Sequence, residues 1–488
     1  MSIDVREAQE AMRAGRADQA VQQLEALTVS APSDACVWQL LGFAYREEQR
    51  MGEAARAFAR AAELDSRDAM NALGAAQANF ESGLPAVELF QRALKLAPDN
   101  PRAISGLASA LAAEGQAATA QDTLVGVLTR HPDWLEGQRH LAALRWLAGE
   151  TKHFARGYQA ACREQPKNLA LRLAWFRAIA QTRDWDAAAT ILDDGERTIG
   201  NGQAFIIARL FIASESGNRR RAEELFAKTS SIRDEVRDIA YIRHCLRNGQ
   251  PEKAESVALR FVDTGSVSII WPYLSLIWRL RGDARAQWLD GEPPCIRAID
   301  LDFARSELDE LAVLLRQLHT ARAPYLEQSV RGGTQTDQQL FFRHEHVIQT
   351  LKVKMQAAIR DYVAQLPDFL PGHPLLGTAR GQILFAGSWS VRLESQGFHV
   401  SHTHPKGWIS SAFYVALPDQ KQMGAVPAGW LSFGLPPREL GLDLPAIMQV
   451  EPKPGRLVLF PSTMWHATAP FHDGERLSVA FDVAVPRR

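Results

Sequence analysis

Four cysteines, Cys36, Cys162, Cys245 and Cys295, are all that the chain contains, and no two form a Cys-x-x-Cys pair. That argues against a zinc-finger site and a disulfide framework, leaving bland thiols. Excess charge of one sign is missing as well, with 55 Lys and Arg against 56 Asp and Glu. So balanced a chain has no electrostatic case for nucleic acid or an anionic membrane as its main partner. Long apolar runs are also absent. The longest candidate, Val267 to Ile277, is interrupted by serines and Pro272 and falls short of the roughly 18–20 residues a membrane helix needs. Met1 to Glu7 is charged with no apolar core behind it, so no secretory signal is expected. These absences point to a reducing, cytoplasmic setting. The length, 488 residues, calls for about two or three domains.

What is present first is a repeat. Trp38, Leu41, Gly42, Tyr45, Ala54, Phe58 and Ala61 are followed by Gly74, Ala86, Phe90, Ala93 and Pro98 at matching spacing. Ala108, Ala120, Leu124, Val127 and Pro132 come next, then Ala142, Phe154, Tyr158, Ala161 and Pro166. Small residues (Gly42, Gly74, Ala108, Ala142) let paired helices approach, and large ones (Phe58, Phe90, Leu124, Tyr158) fill the gap to the next pair. The prolines stop one unit and start another. The pattern resembles the tetratricopeptide repeat. After Pro166 the register loosens, with Trp175, Ala188 and Leu192, then Ala222 with Phe226 and Ala254 with Phe261, as degenerate pairs. An all-α solenoid over 1–285 is therefore expected. The resemblance implies a protein or peptide partner on its concave face. Support of the C-terminal domain, or a homodimer contact, is the alternative. Arg219-Arg220-Arg221 reads as a solvated helix start.

Gly291-Glu292-Pro293-Pro294 breaks the helical periodicity and marks a boundary. Beyond it, apolar spacing predicts helices over Phe303 to His319 and Val347 to Leu366, the second burying Val353, Ala357, Ile359, Tyr362 and Val363. The polar stretch Gln328 to Thr336, with Gly332-Gly333, reads as a loop. Arg331, Gln335 and Thr336 are its candidate contacts to substrate or co-substrate, against an ordinary surface loop. His344-Glu345-His346 is a poor metal site, because residues two apart on a helix diverge. His373, between Gly372 and Pro374, reads as a turn residue. Trp389 to Leu393 alternates as a strand, with Ser390 and Arg392 lining a pocket if the polar face looks inward.

The last hundred residues carry the chemistry. His402 and His404 are two apart, so on an extended strand both leave the same face and can share one ion. His466 follows the apolar run Leu457 to Phe460, and Arg476 lies on the next apolar alternation. Imidazoles with open positions beside them suit non-haem iron, and a nearby guanidinium suits a bidentate carboxylate. His399, three positions from His402, faces away on a regular strand, so it reads not as a ligand but as a contact to substrate or to the ligands. Trp389 is a further candidate of that kind. Asp482 has no spacing argument for ligation, and His472 reads as exposed. Gln420 to Ala446, rich in Gly and Pro, reads as an insertion over the barrel mouth.

With Gly455 to Pro461 before His466 and Ser478 after Arg476, this stretch resembles the double-stranded β-helix oxygenases that use Fe(II) and 2-oxoglutarate. The resemblance spans roughly residues 300–488. It implies a jelly-roll domain over 286–488 backed by helices, with metal ligands His402 and His466 and with Arg476 and Ser478 holding 2-oxoglutarate. Fe(II), 2-oxoglutarate and O2 are the cofactors and co-substrates it implies. The implied reaction is hydroxylation of a C–H bond. The solenoid makes a protein or peptide side chain the leading substrate class. His404 departs from the pattern, standing where the family has a carboxylate. It either completes a three-His site or leaves iron to two His. A three-His dioxygenase without 2-oxoglutarate, a non-catalytic scaffold and an oxygenase for a small metabolite stay open.

Overall fold

Helices follow one another from Ile3 to Asp290, as the spacing of small and large residues predicts. The computed structural model describes residues 3–291, 295–326 and 328–486, so most of the expected boundary, Glu292 to Pro294, lies outside the described residues. Two compact units emerge. One comprises Met1–His131 with Asp337–Gln356, and the other Pro132–Thr336 with Ala357–Pro486.

In the first unit, helices from Ile3–Arg13 to Ala117–Arg130 pack as successive pairs. Phe58 is fully buried, and a Cβ added at Gly42 or Gly74 would lie 2.9 Å or less from its ring. That close approach is why the repeat places glycine there. Phe90 packs likewise on Gly106, where a Cβ would sit 2.2 Å away, while Ala108, the small residue of the repeat register, is also buried. Asp34, Asp68 and Asn100 cap their helices through backbone amides two or three residues on, satisfying donors that the helix leaves free. In the same unit His344 Nδ1 lies 2.9 Å from the Ser82 carbonyl, and Arg343 pairs with Glu345. His344-Glu345-His346 is structural.

In the second unit, helices from Leu135–Leu147 to Arg285–Asp290 precede nine described strands. These are β1 (Arg297–Asp300), β2 (Val330–Gln335), β3 (Phe385–His399), β4 (Gly407–Ala416), β5 (Leu431–Phe433), β6 (Met448–Val450), β7 (Arg456–Pro461), β8 (His466–Thr468) and β9 (Arg476–Ala484). They form a six-stranded sheet, β1-β7-β4-β9-β3-β2, and a three-stranded sheet, β6-β5-β8, with every pairing antiparallel. Tyr414, Phe433, Val458 and Phe460 fill a core between them. The architecture is thus multidomain, a tetratricopeptide-like α-solenoid followed by an antiparallel β-domain of the double-stranded β-helix kind. Among the described residues no helix is long and apolar enough to cross a membrane.

Three expectations change. Residues 330–335 are not a loop but β2, paired with β3. Gly332, at φ +66, bulges the strand, and at Gly333 a Cβ would sit 2.2 Å from the Arg392 carbonyl, so the glycines serve a close pairing of backbones. Val353 projects into solvent, because the buried stripe of helix His346–Ala364 runs through Ile348, Leu351, Met355, Ile359 and Tyr362. The segment Gln420 to Ala446 is no simple cover. It contributes β5 to the smaller sheet, where Phe433 pairs with His466. The helix Arg305–Leu318 buries Leu308, Leu311 and Leu315 as its spacing predicts. His373 behaves as a turn residue, its Nδ1 accepting from the amides of Leu375 and Leu376.

Candidate metal centre

β3 ends at His399, and the chain then runs extended but outside any regular strand before β4 begins at Gly407. His402 and His466 exchange backbone hydrogen bonds of 3.1 and 3.0 Å, and the His404 amide donates to the Ser462 carbonyl at 2.9 Å. The approach to β4 and the start of β8 are thereby stapled together. One ring nitrogen from each of His402, His404 and His466 lies within 4.8 Å of the others.

The opposite nitrogens explain the orientation. His402 Nδ1 lies 2.8 Å from the Val400 carbonyl, His466 Nδ1 3.1 Å from the Met464 carbonyl, and His404 Nδ1 2.7 Å from Asp482 Oδ2. A proton on each Nδ1 satisfies these acceptors and leaves every Nε2 with a lone pair. Burial first, then neighbouring imidazoles, hold His402 and His466 well below the ordinary histidine pKa. Both are therefore neutral, the form that binds a metal. Trp389 stacks flat on His404 at 5.6 Å, and Phe460 packs on His466 at 4.7 Å, closing the rings in.

Asp482 bears on the departure at His404. Its carboxylate does not converge with the three imidazoles but stands behind His404, held by Ser410 Oγ at 2.6 Å, which also meets Ser462 Oγ at 2.9 Å. A carboxylate behind a ligating histidine fixes its tautomer and raises its basicity. The negative charge that a ligating carboxylate would bring thus sits one imidazole away.

A cavity of 550 Å³ opens over the cluster. Arg476 lies within it, 2 % exposed, donating to the Gly429 carbonyl at 2.8 Å and resting 4.9 Å from the centre of the Tyr414 ring. No carboxylate among the described residues pairs with it, and its Nε has no hydrogen-bond partner. Burial pushes its pKa down, with Tyr414 the opposing influence. A buried guanidinium left this way fits an anionic ligand. Ser478, two residues on along β9, lines the same cavity.

The other expected residues divide by face. Trp389 and Val391 line the cavity, so the alternation of β3 turns Ser390 and Arg392 away from it. Ser390 is fully buried against His319 Nε2, at 3.0 Å, and Arg392 pairs with Glu475 at 2.6 Å. Neither lines the cavity, so the polar face of this strand does not look inward. Gln335 and Arg331 line the cavity, whereas Thr336 accepts from the Ser390 amide at 3.0 Å and does not. His399 lines the cavity instead of facing away, because the strand stops at His399 and alternation cannot be counted through to His402. Ser329 Oγ bridges it to the centre, 2.9 Å from His399 Nδ1 and 3.1 Å from His402 Nε2.

Some site residues escaped sequence reasoning. Asp482 shares parity with Arg476 and Ser478 along β9, a signal available from alternation alone. Gln181 and Arg183, in the turn after helix Leu169–Ala180, and Trp185, Phe211 and Glu215, on helices Trp185–Ile199 and Gln203–Glu215, wall the cavity. No local pattern in those helices announces this.

Comparison with known proteins agrees with both halves. Residues 387–482 match the family described as "Putative 2OG-Fe(II) oxygenase", and residues 86–144 match the tetratricopeptide repeat. No curated protein is significantly similar in sequence. A tetratricopeptide repeat protein from Parabacteroides merdae is 14 % identical, with 49 % of this chain and 97 % of that one covered and a TM-score of 0.32. A Pseudomonas putida prolyl-4-hydroxylase is 18 % identical, with 39 % and 93 % covered and a TM-score of 0.28.

Proposed function

We propose that the protein is an Fe(II)- and 2-oxoglutarate-dependent oxygenase that hydroxylates a C–H bond on a protein or peptide side chain. The observation that carries this reading is the convergence of three imidazoles, each with its Nδ1 tied to an oxygen, beside a buried arginine without a carboxylate.

His402, His404 and His466 would hold the iron on one face, leaving further positions open. Iron with 2-oxoglutarate and O2 supplies the oxidising equivalents that convert C–H to C–OH while the co-substrate becomes succinate and CO2. Arg476 holds the far carboxylate of 2-oxoglutarate, assisted by the Ser478 hydroxyl. Asp482 keeps the proton on His404 Nδ1 so that Nε2 stays available. Trp389, Phe460 and Leu431 keep water from the cluster until substrate fills the cavity. The solenoid, taken as a domain of residues 1–285 that precedes an oxygenase domain of 286–488, binds the protein partner.

Anaerobic titration with Fe(II) and 2-oxoglutarate tests the reading through the visible metal-to-ligand charge-transfer band. The band should require His466 and weaken in Arg476→Ala. Iron bound without a band would replace this function by a three-His chemistry that uses no 2-oxoglutarate. Failure to bind iron would leave a scaffold.

A further inference from the structure

Two guanidinium groups in the cavity wall have no carboxylate partner among the described residues, and one ligand cannot explain both. Arg476, buried beside the imidazoles, accounts for the co-substrate. Arg331 stands on β2 at the exposed rim, its Nη1 donating at 2.8 Å to the carbonyls of Gln328 and Val330. Those bonds aim the guanidinium without neutralising it. Around the same rim, Arg183 pairs with Glu439, and Glu215 is gripped by both Arg243 and Arg247 at 2.9 Å. Among the described residues the one carboxylate lining the cavity, Glu215, is thus already shared between two arginines. Among the described residues positive charge remains in excess.

Arg183 is placed by its turn. The turns within the helical pairs of this array take the left-handed region, with glycine at Gly15, Gly83, Gly115, Gly149, Gly217 and Gly249 and a side chain at Gln49 and Arg183, φ +57 and +62. A side chain in that conformation is strained relative to glycine. At Arg183 the turn delivers a guanidinium to the cavity rim. Next to it Trp185 meets Phe211 edge to face at 6.2 Å, giving the cavity an aromatic wall. Burial first and then the nearby Arg183 charge push the Arg331 pKa down, with Glu439 opposing them, a penalty that a bound anion would relieve further.

Resting on the oxygenase reading, we infer that the substrate carries a carboxylate received by Arg331, with Arg183 beside it engaging Glu439, and with its stem against Trp185 and Phe211 of the repeat helices. The repeat array on this view selects substrate inside the cavity itself. An acidic peptide side chain and a free dicarboxylate share this chemistry.

The test is calorimetric titration of the full chain, loaded with Co(II) and 2-oxoglutarate, with three peptides identical except for a central Glu, Gln or Lys. Glutarate forms a fourth arm, and Arg331→Gln and Arg183→Gly are run alongside the unaltered protein. The glycine variant restores the array's usual turn, so misfolding does not confound it. The Glu peptide should bind more tightly than the Gln peptide by roughly fivefold, the size expected of a half-exposed guanidinium–carboxylate pair. Each variant should erase most of that preference. Preference for glutarate over every peptide, lost in the same variants, would support the inference with a small-molecule source. Equal binding of Glu, Gln and Lys peptides with no glutarate binding, or a preference that survives both variants, would overturn it. The Fe(II) charge-transfer band, read in separate samples, reports the metal and co-substrate site, so failure there is distinguishable from failure here.

Discussion

Asp482 Oδ2 accepts a hydrogen bond from His404 Nδ1 at 2.7 Å, placing behind the imidazole the carboxylate that the oxygenase pattern expects in front of the metal. Asp482→Asn keeps the shape but removes the charge that pins the His404 tautomer. The expected outcome is a loss of metal affinity of about 10- to 100-fold, the range seen when partners behind ligating histidines are removed. Titration with Co(II), followed by its visible spectrum, checks it. Ser410→Ala, which leaves the His404–Asp482 bond in place, should lose less.

Arg476 is buried with no carboxylate partner among the described residues. Replacing an uncompensated buried cation by a hydrocarbon of similar length removes a desolvation penalty. Arg476→Met should therefore raise the stability of the ligand-free protein by about 1 kcal/mol while abolishing stabilisation by 2-oxoglutarate. In the unaltered protein with metal present, 2-oxoglutarate at a hundred times its Kd should add about 2.7 kcal/mol. Thermal melts with and without 2-oxoglutarate read both effects. An arginine that served only the fold would show the reverse pattern.

How much of this was legible follows from where the information lies. The repeat could be read because stacking forces the same small and large residues to recur, as at Gly42, Gly74, Phe58 and Phe90. His402, His404, His466 and Arg476 could be read because their spacing is a local property of the chain. Ser390 and Arg392 were ambiguous, since alternation says which residues share a face but not which face is inward. His399, read as a contact to substrate or to the ligands, does line the cavity, and only its orientation was misjudged, because the end of β3 leaves no mark in composition. Arg183, Trp185 and Phe211 line the same cavity as residues far along the chain, such as Arg331 and His402, a proximity that no window along the chain can register.

His319 sits between Thr334 Oγ1, at 2.8 Å, and Ser390 Oγ, at 3.0 Å, and burial lowers its pKa from 6.5 to about 4. Between those values the unfolded chain takes up a proton that the folded chain refuses. The contribution of His319 is thus fully present above pH 6.5 and is lost as pH falls towards 4. Urea unfolding at neutral pH and in mild acid should show a smaller acid loss for His319→Gln than for the unaltered protein. Equal losses would mean that the histidine charges freely in the folded state.

Trp465 precedes His466 and donates its Nε1 to the Pro272 carbonyl at 2.8 Å, with its ring edge to face with Tyr273 at 5.6 Å. The distal imidazole is thereby tied to the helix Val267–Arg281 as well as to its own sheet. Trp465→Phe keeps an aromatic ring against Tyr273 but loses the hydrogen bond, at a cost of about 1 kcal/mol in stability. If the tie also positions His466, metal affinity must fall beyond what a stability loss of that size explains, since a folded protein with free ring rotation pays an ordering cost on every binding event. Chemical denaturation and Co(II) titration on the same sample separate the two. A variant destabilised but with unchanged metal affinity would assign Trp465 to packing alone and leave the backbone bonds between His402 and His466 as the restraint on the site.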